Sequence, residues 1–186
     1  MTAMTETPPW APPVAGTDVD HVLASLERLR VTFRWKADGL DEAGLRARID
    51  SSALSLASLL KHLSLVEDHY STTALDGSSI GSPWTEIHDG TDDFTERTAV
   101  EDSAASLYEL YDGAVLRAKE RYAAAVAAGG LDQPTAMEEA GQARSLRRLF
   151  HDLLEEYGRH TGHADLLREA VDGRVGEDPP LDYRPW

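Results

Sequence analysis

The stretch Glu156-Tyr157-Gly158-Arg159-His160-Thr161-Gly162-His163 places a carboxylate and two imidazoles within eight residues. Around it, Leu146, Leu149, Phe150, Leu153, Ala164 and Leu167 recur at three- and four-residue steps, the period of one helical face. That stripe runs through Glu156, Tyr157, His160 and His163, so the pattern predicts an acid and an imidazole one turn apart on the buried side of a helix. A charge buried there without a partner costs several kcal/mol. A divalent metal is the most economical group to balance it. Glu156 and His160 supply two of the three or four protein ligands that such an ion usually needs. The third must come from another helix, and His62 fits, falling between Leu59 and Val66 on the apolar face of an earlier segment. His69, one heptad further along that face, is the alternative. His21, His88 and His151 fall on an exposed face, in a loop and off the main stripe. The competing interpretation is an exposed Glu156–His160 ion pair together with a hydrogen-bonded structural His62.

The elements that must position these groups can be read along the chain. Pro8-Pro9-Trp10-Ala11-Pro12-Pro13 marks an irregular lead-in over 1–16. Thr17 or Asp18 then caps a first helix to about Lys36, closed by Asp38-Gly39. A short helical turn is expected over Asp41 to Ile49. The second long helix is expected from about Ser52 to Ala74, ended by Asp76-Gly77, the third from Val100 to Ala128, and the fourth from about Ala143 to Val171, ended by Asp172-Gly173. Between the second and third, Ser78 to Thr98 is too long for an ordinary bundle connection and reads as a packed, functional loop. Four amphipathic segments with one long connection predict an all-α four-helix bundle over 17–175, followed by a polar tail over 176–186. Bundle cores commonly hold metals, because facing helices project ligands inward.

Composition narrows the chemistry. With 18 basic and 33 acidic side chains, the net charge of −15 opposes contact with nucleic acid or anionic lipid. The acidic excess is spread along the segments and reads as solvated helix faces. There is no cysteine, which removes disulfides, thiolate metal sites and a cysteine nucleophile. The N-terminal residues lack the basic start and apolar run of a signal peptide, and no stretch approaches the ~18 apolar residues of a membrane span, so a cytoplasmic location is expected. Other constellations are missing. Arg159 and Gly158 stand three residues after Glu156 and Glu155, where a di-iron carboxylate bundle needs histidine. No His-Glu-x-x-His, phosphate loop, dinucleotide fingerprint or Gly-x-Ser-x-Gly elbow occurs.

The segments Leu59-Leu60-Lys61-His62-Leu63-Ser64-Leu65-Val66-Glu67 and Glu155-Glu156-Tyr157-Gly158-Arg159-His160-Thr161-Gly162-His163-Ala164-Asp165-Leu166-Leu167-Arg168-Glu169 resemble the two ligand-bearing helices of the DinB superfamily. The combination is most similar to its mycothiol-dependent S-transferase subgroup, once catalogued as a domain of unknown function. The tail from Asp172-Gly173 through Pro179-Pro180 to Trp186 is similar as well. Most of that superfamily uses three histidines. Glu156 departs from that pattern and matches the His, Glu, His variant of mycothiol-dependent maleylpyruvate isomerase relatives. The resemblance implies His62, Glu156 and His160 as ligands of a divalent metal. Zinc is the expected ion, and nickel, cobalt, manganese and iron are also compatible with the set. His163 would line the pocket, support a ligand, or be merely a polar residue near the helix end. The resemblance further implies mycothiol as co-substrate, joined to an electrophilic small molecule, and a homodimer by analogy. The loop from Ser78 to Thr98 would cover the mouth of the site and select the electrophile. A metal-dependent hydrolase using metal-bound water, or a non-enzymatic metal-binding stress protein, are the alternatives.

Overall fold

The computed structural model describes residues 7–186; the first six residues of the expected lead-in lie outside the described residues. The chain is mostly helical. Four long helices, α1 (Asp18–Ala37), α3 (Leu56–Ser71), α7 (Ala104–Gly129) and α8 (Leu146–Asp172), make up most of the helix. The short helices α2 (Glu42–Arg46), α4 (Thr73–Asp76), α5 (Trp84–Ile87) and α6 (Phe94–Thr98) occupy connections, and β1 (Pro134–Glu139) and β2 (Gln142–Ser145) form a hairpin. The backbones of α3 and α7 pack along one another, as do those of α1 and α8, while α3 approaches α8 more sparingly. No helix among the described residues is long and apolar enough to cross a membrane.

Local chemistry sets the helix ends. Thr17 and Asp20 exchange capping hydrogen bonds at the start of α1. Ser55 and Ser58 do the same for α3, which therefore begins at Leu56, later than the expected Ser52. The expected single helix to Ala74 is also broken. Ser71 and Thr72 donate their hydroxyls back to the Asp68 carbonyl, a competition that bends helices, and Thr72 leaves helical geometry before α4 resumes. Ser103 and Ser145 cap α7 and α8. Gly173 takes the left-handed conformation that ends α8.

The mostly helical chain agrees with the all-α expectation, but its fourth long helix starts later than about Ala143. Ala143 and Arg144, expected at the start of the fourth helix, lie in β2, and the chain turns between the strands at Ala140 and Gly141. Both turn residues have positive φ, 52° and 78°, the conformation that matches the twist of a tight hairpin. Alanine seldom adopts it, so the sequence carries no Asn-Gly-type signal there. The segment 78–98, expected as one long loop, contains α5 and α6.

The core is built from the apolar stripes of the long helices, with Leu26 and Phe33 of α1, Leu59 and Leu63 of α3, Leu107 and Tyr111 of α7, and Leu149, Leu153 and Tyr157 of α8. Not all the charge is solvated, contrary to the helix-face expectation. Arg30 and Glu67 pair through two contacts of 2.6 Å, both side chains buried. Lys36 and Arg168 are also buried, and Arg168 donates to the carbonyls of Lys36 and Asp38 at the end of α1.

Candidate metal centre

His62 projects from the middle of α3, and Glu156 and His160 project from adjacent turns of α8. Their donor atoms converge. His62 Nε2 lies 2.7 Å from Glu156 Oε1, and His160 Nε2 lies 3.2 Å from the same oxygen. With the carboxylate ionised, both imidazole nitrogens carry their proton and donate to it. The two rings meet edge to face, their centroids 4.8 Å apart. The hydrogen bond from His160, then that from His62, holds the Glu156 carboxyl far below the usual carboxylate range, against the opposing effect of burial.

The trio sits at the rim of the core. Side-chain exposure is 30% for His62, 28% for Glu156 and 13% for His160. The α8 stripe is correctly placed, since Leu153, Tyr157 and Ala164 are fully buried, but the face turns toward solvent at Glu156. Small molecules can therefore reach the donors.

The donor set suits a divalent cation. Two imidazole nitrogens and a carboxylate oxygen lie within 4.8 Å of one another. A tetrahedral ion with bonds of about 2.0–2.2 Å needs donors roughly 3.3–3.6 Å apart, so small side-chain movements would suffice.

The other histidines are distributed elsewhere. His69 and His88 line a cavity of about 420 Å³ that opens beside His62 and is closed on one side by α5. Burial, with His88 adding to it, pushes the His69 imidazole below its ordinary value. His21 and His151 share a separate hollow with Leu131 and Leu154. The His163 ring is 5.7 Å from that of His160, and its buried Nδ1 has no hydrogen-bond partner among the described residues. The cavity residues Tyr70, Ile80 and Trp84 were not singled out as functional from the sequence. Ile80 and Trp84 are apolar residues in an otherwise polar 78–98 segment, and Tyr70 lies on α3.

A mostly helical protein with a His, Glu, His donor cluster shared between two core helices is the class that fold and site define. The family model described as Mycothiol-S-transferase matches residues 21–173, and the chain belongs to that family. No curated protein matches the chain.

Proposed function

We propose that the protein is a metal-dependent S-transferase, joining mycothiol or a related low-molecular-weight thiol to an electrophilic small molecule on a four-helix bundle of the DinB type. His62, Glu156 and His160 hold the metal in this reading, and zinc suits two imidazoles and one carboxylate. The convergence of the three donors within 4.8 Å in a member of this family is the observation that carries it.

A divalent metal bound there supplies positive charge that favours a thiolate over its thiol. The chain contributes the rest. Three protein donors leave room for a further ligand, as at catalytic rather than structural zinc sites. Glu156, kept ionised by its two imidazole partners, contributes the negative charge that attracts the cation. A cation there would need the lone pairs of His62 Nε2 and His160 Nε2, so protons would compete with it and affinity would fall with falling pH. With no cysteine in the chain, the reacting sulfur must arrive with a co-substrate. The partial exposure of the three donors gives it a path.

The test incubates zinc-loaded protein with mycothiol and a reactive bimane. Thiol consumption above the uncatalysed rate, lost on metal removal and restored by zinc, is the expected result. Consumption no faster than in buffer would overturn the transferase. Hydrolysis of added esters or amides without thiol would favour a hydrolase instead.

A further inference from the structure

The cavity beside His62, about 420 Å³, falls within the roughly 300–1,000 Å³ of small-molecule pockets. His62, His69 and Tyr70 form its α3 side, and Ile80 and Trp84 its opposite wall. No Lys, Arg, Asp or Glu is among the described residues lining it, in a chain of net charge −15. Its wall is fixed. Trp84 is only 1% exposed, and its Nε1 donates to Asp68 Oδ2 at 2.9 Å. Asp68 is itself buried and held by two hydrogen bonds from Arg117, of 3.0 and 2.7 Å. His62 belongs both to this cavity and to the donor trio, so an occupant of the cavity lies against the candidate centre.

We propose that this cavity is the electrophile pocket and that it selects uncharged, largely apolar molecules of aromatic size, with Ile80 and Trp84 setting that preference; the proposal rests on the transferase reading. An anion entering it would lose hydration with no lysine or arginine among the described lining residues to replace it. The acidic surface would also repel it on approach. An uncharged ring gains apolar contact with Trp84 and Ile80, and Tyr70 offers a hydroxyl for an acceptor on it. With an aryl chloride, the thiol sulfur forms the new S–C bond at the ring carbon. Chloride leaves with the C–Cl electron pair, and the thiol proton passes to solvent.

The test has a binding arm and a turnover arm, both on the zinc-loaded full chain. Calorimetry compares 1,3-dinitrobenzene with 3,5-dinitrobenzoate, an unreactive pair differing in charge. The neutral compound should bind at least about tenfold more tightly, a difference near 1.4 kcal/mol. Filling the space by Ile80→Trp, or by Thr85→Trp at an exposed lining position, should remove that binding, with helicity and zinc content checked in both. Ile80→Arg should raise affinity for the benzoate. Equal affinity for the two compounds, or neutral binding untouched by both filling variants, overturns the proposal. In the turnover arm, mycothiol conjugation to 1-chloro-2,4-dinitrobenzene should exceed that to 4-chloro-3,5-dinitrobenzoate, each relative to its uncatalysed rate. Equal enhancement of both overturns the pocket while leaving the transferase standing. Selective binding with no conjugation overturns the transferase, and with it the electrophile role of a cavity that still binds neutral rings.

Discussion

Tyr157 donates its hydroxyl to Glu67 Oε1 at 2.6 Å, tying the residue next to Glu156 to the buried Arg30–Glu67 pair. Tyr111 in turn donates to the Tyr157 oxygen at 3.1 Å. Helices α1, α3, α7 and α8 thus share one polar network beneath the candidate centre. Glu67→Gln leaves the Arg30 guanidinium buried without its counter-charge and is expected to cost about 3–5 kcal/mol. Tyr157→Phe removes one donor and should cost about 1–3 kcal/mol. Urea unfolding of the two variants measures both, and a smaller loss for Glu67→Gln than for Tyr157→Phe would contradict the ranking.

Replacing His62, Glu156 or His160 by alanine should each abolish tight zinc binding, whereas His88→Ala should not. Zinc at a thousandfold excess over its dissociation constant stabilises a folded protein by about 4 kcal/mol. The melting temperature of the unaltered protein and of His88→Ala should therefore rise on zinc addition, and that of the three ligand variants should stay put. Elemental analysis after dialysis gives the matching stoichiometry. Unimpaired binding in His62→Ala would point instead to His69.

The half-buried His69 predicts a pH dependence. Its imidazole is held below the ordinary 6.5 by burial and by His88, so the folded chain takes up that proton at lower pH than the unfolded chain does. The corresponding stability is fully present above about pH 6.5 and is lost as pH falls through the depressed value. His69→Gln should make the melting temperature less sensitive to acidification from about pH 7.5 to about pH 5. An unchanged slope would show that His69 titrates alike in both states.

Trp84→Phe removes the hydrogen bond to the Asp68 carboxylate and should cost about 1.5–3 kcal/mol. It should also raise KM for the electrophile more than it lowers kcat, because the indole walls the cavity and spends its N–H on Asp68. Steady-state kinetics against both substrates separates these effects. A loss confined to the thiol KM would place the indole's role elsewhere.

Periodicity made the long helices legible, because each had to present a leucine-rich face to the others. Thr17, Asp76-Gly77 and Asp172-Gly173 marked ends through the chemistry of caps and left-handed turns. The spacing of Glu156 and His160, and the place of His62 in its stripe, brought out the three residues whose donors converge. Other features had no local signature. The hairpin turns on Ala140, whose type argues against its own conformation. Arg30 and Glu67 each look like ordinary surface residues, and only their pairing across 37 positions makes burial tolerable. Trp84 reads as an isolated aromatic until Asp68, sixteen residues earlier, is seen to hold it.

The packing of α3 on α7 and of α1 on α8, with a sparser approach of α3 to α8, gives the candidate centre a mechanical role. One donor belongs to the first pair of helices and two belong to the second. An ion at that seam would add a second tie between the two helix pairs, beside the buried polar network that already joins them. Stripping the cation should then loosen the joint before it melts either half, showing as faster hydrogen exchange along the α3–α8 boundary while the α1–α8 and α3–α7 contacts stay protected.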